Sequence, residues 1–167
     1  LGHFLGLGHS QVNLNCLTDQ ATCLDASADI NGVPTMFPIL LNQTNDAGHT
    51  VSFMETLTFD DKSAISTLYP TAGFATTLGT VTGNVKFSDG INEAQGVNVI
   101  ARLTTDPRAT AISNVSGVFA LANHGNNSLS LQGSSAGNPD PSTRGDFTIP
   151  GLPAGTYTLE IESVNPS

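Results

Sequence analysis

The spacing of hydrophobic residues changes near residue 79, and the two parts of the chain predict different kinds of structure. After residue 79, apolar side chains alternate with polar ones, which is typical of half-buried β-strands. The alternating sets are Val81/Gly83/Val85/Phe87, Val97/Val99/Ala101, Val118/Phe119/Leu121, Phe147/Ile149 and Tyr157/Leu159/Ile161. Turn-forming residues separate them, such as Asp89 followed by Gly90. The pattern predicts an all-β antiparallel sandwich over residues 79–167.

Before that change the sequence predicts one clear helix, which begins after Thr58 and ends before Pro70. Thr58 followed by Asp61 resembles a capping box, and acidic residues favour the positive N-terminus of a helix. The residues that then repeat at helical spacing are Ala64, Ile65, Leu68 and Tyr69. This repeat predicts an amphipathic helix that packs its apolar side on a core. Pro70 cannot continue the backbone hydrogen bonding, so it ends the helix.

The length of 167 residues fits one or two domains. Residues 71–78 are mainly small or β-branched and predict a linker. We therefore expect an α+β chain with a first unit at 1–70, a linker at 71–78 and a β-sandwich at 79–167.

Charge excludes two classes of partner. The chain has 5 Lys and Arg against 14 Asp and Glu, so its formal net charge is -9. Such an acidic chain does not bind phosphate backbones by counterion release, and it lacks a basic patch for anionic lipid. No apolar run approaches the roughly 18 residues that a membrane span needs. We expect neither a nucleic-acid partner nor a membrane span.

Both ends of the chain are expected to be cuts in a longer protein, because it begins at Leu1 rather than Met and ends at Ser167, directly after a predicted strand. The lack of a signal peptide then says nothing about export. Abundant Gly, Ser, Thr and Asn with few Lys is common in secreted β-rich proteins, so we expect a secreted, extracellular protein. In such a protein Cys16 and Cys23 predict one small disulfide loop; in a cytosolic chain they would be two reduced thiols.

The candidate metal ligands are His3 and His9, which are spaced by three residues on either side of Gly6. This spacing resembles the last part of HExxHxxGxxH, the zinc-binding signature of the metzincin peptidases. Taken alone, it also fits two histidines at a helix end without a metal. Three further features, in the order found in the matrixin-like branch, strengthen the resemblance. They are Ser10 after the last His, a segment similar to the Met-turn at Pro34-Thr35-Met36-Phe37-Pro38, and the helix with its preceding residues at 57–69.

The resemblance implies the C-terminal part of a metzincin catalytic domain, mostly helix and loop. In that family pattern His3 and His9 are zinc ligands, and Gly6, Met36 and Pro38 support the site. The first His and the general-base Glu are expected just before Leu1. Three protein ligands leave an open zinc position, as catalytic zinc requires. The implied activity is a zinc-dependent metalloendopeptidase that hydrolyses peptide bonds of a protein or peptide by zinc-activated water. The 167-residue chain alone is expected to be inactive.

The gap between His9 and Met36 is longer than in compact matrixins, so the resemblance leaves the shape of the substrate pocket open. Residues in this gap alternate oxygen-bearing side chains, namely Asp25, Ser27, Asp29 and Asn31. The spacing is similar to that of calcium ligands, although the following Gly32 is misplaced for an EF-hand loop. A bound Ca²⁺ and an ordinary polar loop are the alternatives.

The second unit resembles the carboxypeptidase regulatory-like domain, a small transthyretin-like sandwich. The segments that carry this resemblance are residues 83–85, 96–99, 116–119 and 145–157. The resemblance implies a spacer, a stability module or a surface that contacts protein or carbohydrate. The alternative function for the whole chain is therefore a non-enzymatic extracellular adhesion or binding protein with a degenerate peptidase module.

Overall fold

The structure, a computed structural model, describes residues 2–10, 12, 34–36, 43–44, 50–51, 57–117 and 141–163. Several predictions concern residues outside these ranges. They are the disulfide of Cys16 and Cys23, the supporting role of Pro38, the calcium ligands at 25–31 and the strand at 118–121.

The described chain is a mixed α+β structure with antiparallel sheets and few helices, as predicted. Its elements, in chain order, are a 3₁₀ turn at His3–Leu5, β1 at Gln43–Thr44, β2 at Thr50–Val51, α1 at Phe59–Leu68, α2 at Phe74–Thr77, β3 at Gly79–Asn84, β4 at Val97–Leu103, β5 at Asp106–Val115, a 3₁₀ turn at Pro141–Thr143, β6 at Asp146–Leu152 and β7 at Tyr157–Ser163.

Two antiparallel sheets share one hydrophobic core. One sheet pairs β3 with β6, and the other has the strand order β5-β4-β7. The buried members of the core are Val85, Ala94, Val99, Ala101, Ile112, Phe147, Ile149 and Leu152. Gly83 lies opposite Phe147 in the β3–β6 pair, and a β-carbon there would meet the Phe147 ring at 2.6 Å. The period-two pattern thus predicted the inward side chains of Val85, Val99, Ala101, Phe147 and Ile149, but Leu159 and Ile161 of β7 are 49% and 61% exposed. Gly83 leaves room for the Phe147 ring.

Strand β4 departs from the predicted alternation because both of its faces are buried. Val99 and Ala101 enter the main core, while Ile100 on the other face packs in a second cluster with Val12 and Ala111. Arg102 on that face is also buried, with its guanidinium hydrogen-bonded to the Glu160 carboxylate. The outer face of this sheet is therefore covered, in part by Val12 from the first seventy residues.

The β3–β4 connection contains the predicted turn, but the strand before it is shorter than predicted. The turn at Asp89 and Gly90 is confirmed, with Gly90 at a φ of 68° and its amide donating to the Phe87 carbonyl at 2.9 Å. β3 ends at Asn84; beyond it Lys86 pairs with Glu93 across the turn, and Phe87, whose amide donates to the Asn92 carbonyl, is 58% exposed.

Helix α1 has the predicted cap but not the predicted buried face. Thr58 Oγ1 accepts a hydrogen bond from the Asp61 amide, and the Asp61 carboxylate accepts one from the Thr58 amide. The prediction that Leu68 and Tyr69 pack on a core is wrong, since their side chains are 50% and 61% exposed. The buried residues of α1 are Asp60, Asp61 and Ser63. Hydrogen bonds, rather than an apolar stripe, orient this helix on β5 and β6.

The predicted linker at 71–78 contains the short helix α2, whose first amide donates to the Thr71 carbonyl. The limits of the two units at 70 and 79 stay a prediction. Ser63 of α1 donates to the Pro150 carbonyl of β6 at 2.7 Å, so the two predicted units contact each other directly. Within the described ranges, the structure contains no helix with the length and apolar character needed to cross a membrane.

A pair of glycines with the same φ allows the close packing of the turn after β5 to be tested by substitution. Gly117 and Gly90 both have φ at 68°, but a β-carbon at Gly117 would overlap the Arg144 carbonyl oxygen, whereas one at Gly90 meets nothing within 4 Å. Gly90→Ala should lower the free energy of unfolding by about 1–2 kcal/mol through left-handed strain alone. Gly117→Ala should lower it by ~1–3 kcal/mol more, because the overlap with backbone is added.

Urea denaturation of the two variants and the unsubstituted chain measures this difference. Equal destabilisation by the two substitutions would contradict the close approach of Gly117 to Arg144.

Candidate metal centre

The segment that carries His3 and His9 reverses direction at Gly6. The 3₁₀ turn at His3–Leu5 ends there, and Gly6 has the left-handed φ of 90° that an L-residue with a β-carbon rarely adopts. The Gly6 amide donates to the His3 carbonyl at 3.1 Å, and the Leu7 amide donates to the Gly2 carbonyl at 3.0 Å. The chain therefore reverses at Gly6, between the two histidines.

This reversal brings the two imidazoles together. The ring centroids of His3 and His9 are 4.8 Å apart at an interplanar angle of 71°, and both residues are exposed. Two imidazoles on one tetrahedral zinc, with Zn–N bonds of ~2.0–2.1 Å, have their centroids about 5 Å apart. The pair therefore has a separation that suits a shared metal ion.

The tautomer of His3 also suits a metal ligand. His3 Nδ1 lies 2.9 Å from the Leu7 carbonyl oxygen. A carbonyl oxygen only accepts, so Nδ1 carries a proton, and in the neutral imidazole Nε2 then has the free lone pair. Metal-binding histidines usually donate the other ring N–H to such a partner, which fixes the ring orientation.

Met36 lies beside the His segment. Thr35 and Met36 form a turn, and a β-carbon on Gly2 would overlap the Met36 sulfur. The Ser10 amide donates to the Met36 carbonyl at 2.8 Å. The Met36 turn thus contacts both ends of the segment that contains His3 and His9, although the sequence predicted its role only by resemblance.

Asp61 connects this turn to helix α1. Its carboxylate accepts hydrogen bonds from the Thr35 amide at 2.9 Å and the Met36 amide at 3.1 Å, in addition to those from Thr58. Sequence analysis identified Asp61 only as a helix cap. The capping-box spacing is a local signal, whereas its partners Thr35 and Met36 are 26 and 25 residues away along the chain.

Asp60 is a buried residue behind the His segment that the sequence did not indicate. Its carboxylate is buried and accepts from Ser10 Oγ at 2.6 Å, from the Ser113 amide at 2.7 Å and from Ser113 Oγ at 3.2 Å. Burial raises the pKa of Asp60 from 3.8 to about 6, and the neighbouring Asp61 adds to the rise, while the bonds from Ser10 and Ser113 oppose it. Asp60 therefore connects the His segment, α1 and β5 through one carboxyl group.

A cavity of about 570 Å³ lies where these three elements meet. His9, Ser10 and Met36 line one side, and residues of α1, β5 and β6 line the others. Asn114 of β5 is on its wall, and the Oδ1 atom of Asn114 is buried without a hydrogen-bond partner among the described residues. His9 therefore lines the cavity and is also exposed to solvent.

Of the predicted metal ligands, the structure brings together His3 and His9. Within the described ranges no cluster of three or more His, Cys, Asp or Glu is arranged to bind a metal. The separation of the two rings is compatible with two ligands on one metal ion, which is fewer than a zinc site requires. The two histidines do not complete such a site by themselves.

Comparison of this chain with protein-family models, with curated proteins and with solved structures finds no match.

The buried carboxyl of Asp60 predicts a defined pH dependence of stability. The unfolded chain loses this proton near pH 3.8 and the folded chain near pH 6, so the folded state binds more protons between these values. The free energy of unfolding therefore falls as pH rises from about 4 to about 6. With roughly 1.4 kcal/mol for each pKa unit, the loss relative to Asp60→Asn should total about 3 kcal/mol. Urea unfolding of both proteins across this range measures it.

Asp89→Asn is the matched control for this experiment. The pKa of Asp89 is lowered, chiefly because its carboxylate accepts from the Ile91 amide and from Asn92. The stability that this lowered pKa contributes is present above pH 3.8 and is lost only as pH falls below it, so from pH 4 to 6 the free-energy difference from Asp89→Asn should stay nearly constant. A free-energy difference between the unsubstituted chain and Asp60→Asn that does not change with pH would contradict the burial of Asp60.

Proposed function

We propose that this chain carries the C-terminal part of a matrixin-like metzincin site, and that the whole protein is a zinc-dependent metalloendopeptidase. The observation that carries the proposal is the pairing of the His3 and His9 rings, 4.8 Å apart, around a left-handed Gly6. The Met36 turn beside Gly2 adds a second feature of the metzincin arrangement.

In this proposal His3 and His9 bind the zinc ion, His3 through the Nε2 atom that its bond to Leu7 leaves available. A zinc ion bound there would supply a Lewis acid and an activated water for hydrolysis of a peptide bond. The third ligand and the general-base Glu are proposed to belong to a His-Glu pair just before Leu1. The chain's own residues orient the two rings: Leu7 fixes that of His3, and Ser10 fixes the backbone after His9.

The exposure of both imidazoles favours a catalytic role over a structural zinc site. Structural zinc sites are closed by four protein ligands, whereas catalytic sites keep one position open to water and substrate. His3 and His9 are exposed, and the supporting carboxylates of Asp60 and Asp61 are buried behind them. We propose further that the protein is secreted and that its substrate is a protein or peptide.

The unit from residue 79 onward is proposed to be a carboxypeptidase regulatory-like domain. Its two antiparallel sheets with a common core are compatible with such a sandwich. From this resemblance we propose a spacer role or contact with protein or carbohydrate. The spacing of oxygen-bearing residues at 25–31 leaves a calcium site and an ordinary polar loop as alternatives there.

Zinc binding and proteolysis test the peptidase proposal. The chain extended upstream to include the genomic residues before Leu1 should bind one zinc ion and cleave casein, and a chelator should abolish cleavage. His9→Ala should abolish cleavage and lower zinc affinity by at least about 100-fold, because it removes a ligand bond. His124→Ala is the matched control, since the sequence places that histidine in a polar loop; it should retain both activities.

Three results would contradict this proposal. Genomic residues other than His-Glu before Leu1, or an intact motif that binds no zinc, would favour the non-enzymatic adhesion protein with a degenerate peptidase module. Chelator-sensitive cleavage by the 167-residue chain alone would show that the match to HExxHxxGxxH is misaligned, since the proposed base lies outside that chain.

A further inference from the structure

The carboxylate of Asp60 divides its two oxygens between different parts of the chain. Oδ2 accepts from Ser10 Oγ at 2.6 Å, directly after His9. Oδ1 accepts from the amide of Ser113 at 2.7 Å and from its hydroxyl at 3.2 Å, both on β5. Asp60 is only 7% exposed, so water does not compete strongly for these bonds. The buried carboxylate therefore forms a direct connection from β5 to the residue beside His9.

Ser10 is fixed in place by several bonds at once. Its hydroxyl donates to Asp60 and accepts from the Val12 amide at 3.2 Å, while its own amide donates to the Met36 carbonyl at 2.8 Å. Ser10 is 7% exposed, in contrast to the exposed ring of His9. Any displacement of the Asp60 carboxylate should therefore move the peptide unit that joins Ser10 to His9.

We propose that strand β5 positions His9: Ser113 orients the Asp60 carboxylate, and Asp60 orients Ser10 and thereby the backbone that carries the imidazole. Asp60 and Ser113 are positioning residues, because neither contacts the reacting groups. The inference rests on the proposed function where it treats His9 as a zinc ligand. It makes the β-sheets a part of the metal site's support instead of an appended spacer.

Ser63 offers a matched comparison on the same interface. It lies on α1, is 5% exposed, and donates from its hydroxyl to the Pro150 carbonyl of β6 at 2.7 Å. Ser63→Ala and Ser113→Ala thus each remove one serine hydroxyl from the contact between α1 and the sheets. Only Ser113 is bonded to the carboxylate that also binds Ser10.

The first experiment uses NMR spectra of the metal-free 167-residue chain. Ser113→Ala should shift the amide signal of Ser10 and the imidazole signals of His9, whereas Ser63→Ala should leave both in place. Ser113→Thr keeps the hydroxyl and should restore the signals of the unsubstituted chain. If Ser113→Ala does not fold, Ser10→Ala tests the same connection from the other side, since it should shift the Ser113 amide signal.

The second experiment measures zinc affinity of the upstream-extended chain. Ser113→Ala should weaken zinc binding by about three- to tenfold, at or below the low end of the effect of removing a direct partner of a metal ligand, because Ser113 acts through Asp60 and Ser10. Ser63→Ala should change it by less than about twofold. In a double-mutant cycle, Ser10→Ala and Ser113→Ala should be non-additive, because both act on one carboxylate, whereas Ser10→Ala and Ser63→Ala should be additive.

The two readouts separate this inference from the proposed function. If neither Ser113→Ala nor Asp60→Ala, which removes the acceptor of both the Ser113 amide and its hydroxyl, affects Ser10 and His9 more than Ser63→Ala does, the positioning role of β5 is overturned, whether or not zinc binds. Absence of zinc binding by the unsubstituted, extended chain would overturn the proposed function. The metal-free spectra would then still decide whether β5 positions His9.

Discussion

Two adjacent buried carboxylates, Asp60 and Asp61, connect the parts of this structure. Consecutive residues on a helix point about 100° apart, so the two groups reach different neighbours. Asp61 binds the Met36 turn, and Asp60 binds Ser10 and Ser113. Burying a carboxylate is costly unless it is well hydrogen-bonded, and in the described part of the chain N–H and O–H groups and the N-terminus of α1 provide that compensation. The cost shows in the raised pKa of Asp60.

In this arrangement the buried carboxylates of Asp60 and Asp61 lie apart from the exposed histidines. The apolar core between the sheets is formed by residues such as Val99 and Ile149, which are almost fully buried. The polar contact between α1 and β5 transmits the position of that rigid core to Ser10. His3 and His9 lie at the exposed end of this series of contacts. A metal site benefits from such a design, because its ligands must be accessible while their backbone is held within a narrow range.

Local signals in the sequence predicted much of the fold. The features that were missed depend on contacts between residues that are distant along the chain. The period-two pattern identified Val99, Ala101, Phe147 and Ile149 as inward residues, and the capping box identified the start of α1. The orientation of α1 was not predictable from its apolar repeat, because hydrogen bonds of Asp60 to partners 50 and 53 residues away decide it. The buried outer face of β4 was missed for the same reason, since Val12 covers it from a distant part of the chain.

X-ray absorption at the zinc edge, on the upstream-extended chain loaded with one equivalent of zinc, decides whether His3 and His9 share one zinc ion with a third histidine. If they do, the spectrum should show four nitrogen or oxygen neighbours at ~2.0–2.2 Å, the multiple scattering of three imidazole rings, and no sulfur. A sulfur shell at about 2.3 Å, which would assign the metal to Cys16 and Cys23, or a shell without imidazole scattering would contradict it.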